Sequence, residues 1–292
     1  MNLQEMLDII KQTNTDIHID TVKSFTNGWD NDILLVNDEV VFRFPKTKET
    51  ASKVMAEAAL IKQLILKRPL LLVPEYEMVL HDGNFIGVKY DYITGDSGLQ
   101  PSFNRRNARL IGDFLTKLHT IDPSAIKDTN IRPVHNKKYW EELNDSVETY
   151  IFPHISPTEK TAVQNLFSNF FSDSIFSTHQ RVAIHGDLTT ANMIFNKETG
   201  LVKGIIDFTD AQVGDPAFDF AGLYWALGPV FTMEVLSHYH SEDKEAIFNR
   251  VQNFYGLQPV FHELIYAIKS QQSVNWNTAL NRFLKLLPEE LN

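Results

Sequence analysis

Three oxygen-bearing side chains carry the strongest chemical signal in the chain. Asp187 and Asn192 stand in His185-Gly186-Asp187-Leu188-Thr189-Thr190-Ala191-Asn192, and Asp207 follows in Gly204-Ile205-Ile206-Asp207-Phe208. Phosphoryl transfer needs an acid placed at the incoming hydroxyl and oxygen ligands for magnesium beside the phosphates of a nucleoside triphosphate. Asp187 has the residue type for the first task, Asn192 and Asp207 for the second. Taken singly, each has a plain alternative, since an aspartate at a strand end often just shapes a turn. Together, with the apolar run Met193-Ile194-Phe195 between them and Asp207 arriving one hairpin later, they form a pattern that chance rarely assembles.

The neighbouring residues read as supports. A histidine at position 185 more often braces a loop through backbone hydrogen bonds than transfers protons. In Asp215-Pro216-Ala217-Phe218-Asp219-Phe220, Asp215 can cap a helix, Pro216 suits its first turn, and Asp219 can hold the loop that carries Asp187.

Positioning such groups requires a scaffold, and the periodicity supplies one. Residues 3–12 have helical spacing, whereas 19–25, 32–37 and 39–44 read as three short strands split at Asn27-Gly28 and at 37–38. A helix is expected over 50–67 and a further strand over 85–93, ending at Gly95. Beyond it, residues 104–120, 139–150, 157–171 and 233–240 read as helices, and 182–207 as paired strands inserted among them.

With these motifs in place, the chain resembles the aminoglycoside phosphotransferase family of antibiotic kinases, related to macrolide phosphotransferases and choline kinase. That family carries H-G-D-x-x-x-x-N, then I-D-F or I-D-W, then D-P-x-x-D, and all three occur in order between 185 and 219. Val41-Phe42-Arg43-Phe44 is similar to the family's third strand, Ala56-Glu57-Ala58 to its helix-borne glutamate, and Tyr90-Asp91-Tyr92-Ile93 to its interlobe hinge. The resemblance implies a bilobal, protein-kinase-like α+β fold. Residues 1–94 would form a small antiparallel-sheet lobe that clasps nucleotide, and 95–292 a larger, mainly helical lobe for catalysis and acceptor binding.

It also implies roles. Asp187 would act on the acceptor hydroxyl, Asn192 and Asp207 would hold magnesium, and Arg43, oriented by Glu57, would take the place of the lysine that many members use on the phosphates. A surface-facing arginine is the alternative for position 43. Asp91 and Ile93 would offer backbone groups to a purine, with the bulky Tyr90 behind it favouring GTP while ATP stays open. The chain lacks the Gly-rich loop, V-A-I-K and A-P-E of protein kinases, and the short path from Asp207 to Asp215 leaves no long activation loop, so a small acceptor is favoured over a peptide.

For the acceptor, Tyr224, Trp225 and Trp276 are candidates for stacking on a sugar or macrocycle, although they could equally fill a helical core. Glu141, Glu142, Asp145 and Glu148 fit a solvated helix face better than a cation site. An aminoglycoside is the first expectation, a macrolide the second, and a choline-like or sugar-like alcohol the third. A nucleotide-binding pseudokinase is the alternative of another class.

Composition narrows the setting. Zero cysteines exclude disulfides and thiolate metal sites, in keeping with a cytoplasmic protein. The first residues carry acids and lack the basic start of a secretory signal, so no signal peptide is expected. No apolar run approaches the roughly 20 residues of a membrane span. With 27 basic against 37 acidic side chains, a net charge of −10 opposes a nucleic-acid partner. A monomer is expected.

Overall fold

The structure is a computed structural model, and it describes residues 1–25, 30–98, 104–126, 129, 131, 133–172 and 181–288. Asn27-Gly28 lies outside the described residues. The chain opens with helix α1 (Leu3–Thr13), started by a capping box in which Asn2 and Glu5 exchange side-chain and backbone hydrogen bonds. Strands β1 (Val22–Phe25), β2 (Asn31–Val36) and β3 (Val40–Pro45) follow, then helix α2 (Lys48–Leu66), β4 (Glu77–His81) and β5 (Asn84–Asp91). These strands form one antiparallel sheet in the order β1-β2-β3-β5-β4.

Strand period decides what each face of this sheet does. Side chains two apart share a face, so Phe42 and Phe44 of β3 turn together into a core with Met6 and Ile10 of α1, Leu34, Val36 and Val79. Arg43, between them, is thereby sent to the opposite face, where α2 packs against β3 and β5. The alternation that buries two phenylalanines also aims one arginine.

The second lobe is mainly helical. Its helices are α3 (Arg105–His119), α4 (Lys137–Tyr150), α5 (Pro157–Ser172), α6 (Ala221–His238), α7 (Lys244–Arg250), α8 (Pro259–Lys269) and α9 (Trp276–Leu286). Short strands β6 (Asp96–Ser97), β7 (Val182–Ile184), β8 (Met193–Phe195), β9 (Val202–Ile205) and β10 (Gln212–Gly214) are interspersed with them. The strands expected over 182–207 do not make one unit: β8 pairs with β6 and β9, while β7 pairs with β10. The helix start read at Asp215-Pro216 opens a short 3-10 turn (Pro216–Phe220) that runs directly into α6, which covers most of the expected 233–240 stretch, and a left-handed Gly228 followed by Pro229 kinks it.

One large core joins the lobes. It takes in Leu60, Ile61 and Leu64 of α2 together with Leu115, Trp140, Phe208, Phe220 and Phe261. Leu72, in the link after α2, also bonds to Lys203 O and Ile205 N beside β9, both at 2.9 Å. Among the described residues no helix is long and apolar enough to cross a membrane.

Candidate active site

Arg43 and Glu57 form the centre of the sheet's contribution. Arg43 stands opposite Ile33 and Val88 in the middle of the sheet and is 5% exposed, and Glu57 is 2% exposed. Such burial is tolerated because the pair is bidentate: Nη1 donates to Glu57 Oε2 at 2.8 Å and Nη2 to Oε1 at 3.1 Å. Nη1 also donates to Tyr76 Oη at 2.9 Å, and Tyr76 in turn donates to Glu57 Oε2 at 3.1 Å. Nε donates to Asn31 Oδ1 at 3.1 Å, and Nη2 reaches across to Thr209 Oγ1 at 3.0 Å. Burial pushes the Glu57 carboxyl up, and the Arg43 guanidinium opposes that shift.

The loop after β7 carries the other half. His185 is fully buried. Its Nδ1 accepts from Asp187 N at 3.3 Å and its Nε2 faces Ile206 O at 3.1 Å. A backbone N–H can only donate and a carbonyl only accept, so the ring is held as the Nε2–H tautomer. Asp219 clamps the same loop: Oδ2 accepts from His185 N at 2.7 Å and Oδ1 from Gly186 N at 2.9 Å. Burial works to raise the Asp219 carboxyl, yet hydrogen bonds from His119 and His185 N hold it below its ordinary value. His119 Nε2 lies 3.0 Å from Asp219 Oδ2, and its Nδ1 lies 3.0 Å from Tyr239 Oη, which ties the loop's clamp to α3 and the end of α6. Asp215 caps Ala217 N at 2.9 Å and takes a fork from Arg250, with Nε to Oδ2 at 2.7 Å and Nη2 to Oδ1 at 3.0 Å.

Gly186 is required by geometry. Its φ is +83°, and a Cβ there would sit 2.0 Å from Asp210 O. The missing side chain lets the 185–192 loop lie directly on the 207–210 segment. Asp187 is thereby set beside Asn192, whose Nδ2 donates to Asp187 O and to Oδ2, both at 2.8 Å. Burial raises the Asp187 carboxyl, with His185 pulling the other way.

Asp207 adopts φ +64°, a left-handed conformation in which aspartate is among the few tolerated non-glycine residues. Its Oδ1 accepts from Thr209 Oγ1 at 2.6 Å. Asn192 spends its Nδ2 on Asp187, so its Oδ1 remains as an acceptor. An amide oxygen and a carboxylate are hard donors that suit magnesium, with phosphates supplying the remaining oxygens. Among the described residues no cluster of three or more His, Cys, Asp or Glu could hold a metal by itself, so nucleotide oxygens would have to complete the shell.

A cavity of about 690 Å³ opens beside this machinery, running from Lys53 and Glu57 of α2 past Asp187 and Asp210 to α6 and α8. Trp225 lines it and donates Nε1 to Glu263 Oε1 at 2.9 Å. Arg282 stacks on that indole, 4.9 Å from the ring centroid. Tyr224 and Trp276, the other aromatic candidates, are not in the cavity lining. Tyr224 turns into the core and donates to Leu286 O at 3.1 Å, and Trp276 stacks on His154 at 4.9 Å between ring centroids. Residues 224 and 225 are adjacent on a helix and so point about 100° apart, which is why one faces the cavity and its neighbour the core. Glu141 and Glu142 lie on an exposed face beside Lys137 and Lys138.

Sequence reasoning missed Asp210, Glu263, His135, Tyr139 and His262 in the cavity wall. Asp210 was within reach, three residues after Asp207. The others come from separate helices and loops. Burial and neighbouring His262 lower His135 to about 4, and burial raises Tyr139 to about 12 and also raises Asp210. Tyr90, Asp91 and Ile93 lie at the end of β5 and the link beyond it. There Tyr92 N donates to Glu39 O at 2.6 Å, and the Tyr90 ring packs 5.2 Å from Tyr76.

Solved structures share this arrangement of elements. The GDP complex of aminoglycoside 2'-phosphotransferase-IIIa aligns over 100% of this chain and 99% of that one, with a TM-score of 0.77 at 22% identity. The macrolide 2'-phosphotransferase MphH from Brachybacterium faecium aligns over 96% and 97%, with a TM-score of 0.69 at 18% identity. In sequence, the uncharacterized protein YcbJ of Bacillus subtilis (strain 168) is 23% identical over 174 residues, which span 59% of this chain and 56% of that protein's length. Residues 21–250, which contain the Arg43–Glu57 pair, the 185–192 loop, Asp207 and the Asp215–Arg250 fork, match the model of the phosphotransferase enzyme family, and the chain belongs to that family.

Proposed function

We propose that the protein moves the γ-phosphoryl group of GTP or ATP onto a hydroxyl of a small molecule, an aminoglycoside antibiotic first, with Asp187 as the group that receives or orients the acceptor's proton. The observation that carries this reading is the placement of Asp187: it lines the 690 Å³ cavity while Asn192 Nδ2 fixes its carboxylate at 2.8 Å. An acceptor hydroxyl held in the cavity would face that carboxylate. The raised Asp187 carboxyl is the better base for it. The acceptor oxygen then bonds to the γ-phosphorus as the bond to the β,γ-bridging oxygen breaks.

Asn192 and Asp207 would hold magnesium, which when bound neutralises charge on the phosphates. Arg43 would lend its charge to the phosphates while its N–H groups stay on protein acceptors, and the nucleotide would lie between a lobe of 1–94 and a lobe of 95–292. Asp91 and Ile93 would meet the purine, with Tyr90 behind it favouring GTP. Structural relatives have been solved with GDP, ADP and ATP.

The acceptor assignment is supported by the cavity's carboxylates, Asp187, Asp210, Glu263 and the Arg43-paired Glu57, against Lys53 as the one lysine or arginine among its described lining residues. Such a surface draws cationic acceptors. The aromatic wall of Tyr139, Phe218 and Trp225 supports a macrolide as the second reading. The reading includes a cytoplasmic monomer without a nucleic-acid partner, in keeping with the net charge of −10 and the absence of cysteine. Purified protein incubated with magnesium, labelled GTP or ATP, and a panel of aminoglycosides, macrolides, choline and sugars tests this directly. Label transfer to an aminoglycoside is expected. Transfer to none of the panel, with no hydrolysis above an Asp187, Asn192 and Asp207 triple mutant, would leave a nucleotide binder instead.

A further inference from the structure

Among the described residues, Thr209 is the one side chain hydrogen-bonded to both Arg43 and Asp207. Its hydroxyl lies 3.0 Å from Arg43 Nη2 and 2.6 Å from Asp207 Oδ1. The direction of this chain is fixed by chemistry. A guanidinium has no acceptor, so the hydroxyl must accept from Arg43, and its single proton then goes to Asp207. Both links involve a charged partner, the class of hydrogen bond that holds geometry most firmly.

Arg43 is itself immobilised. It has five N–H groups, and five acceptors meet them: Asn31 Oδ1, the two Glu57 oxygens, Tyr76 Oη and Thr209 Oγ1. Four of the five belong to the sheet lobe and α2 with its link. Thr209 alone comes from the segment that carries Asp207. Its Oδ1 is thus oriented from across the cleft, and Oδ2 is left with no protein donor among the described residues.

We propose that Thr209 is a positioning residue: its hydroxyl relays the fixed position of Arg43 to Asp207, so that Asp207 meets magnesium already oriented and the two lobes are tied at the phosphate end of the cleft. This rests on the reading that Asp207 and Asn192 hold magnesium with a nucleotide. Phe208 cannot serve, because it is buried beside His185, and Asp210 turns to the cavity.

The test uses the whole chain and the imido analogues of GTP and ATP. Their dissociation constants are measured by calorimetry with excess magnesium and again with EDTA, and the ratio gives the gain due to magnesium. Thr209→Val keeps the shape and removes the hydroxyl, and Thr209→Ala is a second hydroxyl-free variant should the first not fold. Thr209→Ser restores the hydroxyl. In the hydroxyl-free variant the magnesium gain should fall about tenfold, the scale of one charge-assisted hydrogen bond, with the EDTA affinity within about twofold of the parent. Thr209→Ser should keep the gain within about twofold. An unchanged gain without the hydroxyl, an equal loss in Thr209→Ser, or an equal fall in EDTA would each overturn the relay. If the parent chain binds neither analogue with magnesium, the reading of the site falls and the relay with it.

Discussion

At the scale of single residues, the proposed site would divide one charge type between two tasks. Asp187 and Asp207 are both aspartates near the cleft, yet one faces the cavity and is held by Asn192, while the other is turned by a left-handed backbone and held by Thr209. Their substitutions should therefore fail differently. Asp187→Ala should lower turnover by roughly 10² or more, the usual scale of a positioned base, with nucleotide affinity nearly unchanged. Asp207→Ala should lose turnover and the magnesium-dependent part of nucleotide affinity together. Calorimetry on both mutants with a non-hydrolysable nucleotide decides the matter, and equal affinities would end this division of labour. Asp187, Asn192 and Asp207 were legible because their spacing is local and their chemistry needs oxygen donors. The surroundings of Arg43 were not: Asn31, Tyr76 and Thr209 meet its guanidinium only after the sheet, α2 and the second lobe have folded together.

At the scale of elements, the 185–192 loop depends on close approach to the 207–210 segment, and Gly186 is where the two backbones meet. Gly186→Ala would place a methyl group 2.0 Å from Asp210 O at a φ of +83°, so the loop must shift and carry Asp187 with it. The expected result is a turnover loss of at least about 10² with a stability loss of about 1–3 kcal/mol, read by steady-state kinetics and denaturant unfolding. A near-normal rate would mean that Asp187 does not need this loop position. The stretch before α4 offers a second, pH-dependent test. His135 packs among Tyr139, Trp140 and Phe218, and burial lowers it to about 4 from an ordinary 6.5. Between these values the unfolded chain binds the proton that the folded chain refuses, so stability contributed by this group is present above about 6.5 and is lost as pH falls toward 4. Unfolding midpoints measured from pH 7 to 4.5 should fall less steeply in His135→Phe than in the parent, and parallel curves would contradict the burial argument. Helices α1 to α5 and most strands were legible from their period, with ends displaced by a few residues, whereas the stretch from 233 onward was read only as further helix without bounds for α7, α8 and α9. Pairing was not, because β7, β8, β9 and β10 are too short for their patterns to say which sheet each joins. The same limit explains Tyr224 and Trp225, whose helix was recognisable but whose facing depended on α8 and α9 packing around them.

For the whole molecule, the two lobes are unequal partners in stability. The sheet lobe keeps a small core of its own around Phe42 and Phe44, whereas α2 gives Leu60, Ile61 and Leu64 to the large core of the other lobe. Among the described residues, a core of seven buried side chains beneath a five-stranded sheet is too small to stand alone, since the fraction of surface that folding buries falls as a domain shrinks. The shared helix, the bonds of Leu72 beside β9 and the Arg43–Thr209 link bind the lobes into one cooperative unit. Calorimetric heating should accordingly give one transition, without a separate early step for the sheet. A ligand that binds the folded form alone adds stability as the logarithm of one plus its concentration over its dissociation constant, about 2.7 kcal/mol at a hundred times that constant. Seated between the lobes, a magnesium-bound GTP or ATP analogue should move that single transition upward as a whole. In Asp207→Ala the magnesium-dependent part of this shift should disappear while the transition stays single. Two transitions in the parent chain, with the analogue moving one of them, would show instead that the lobes unfold independently and that the nucleotide belongs to one lobe alone.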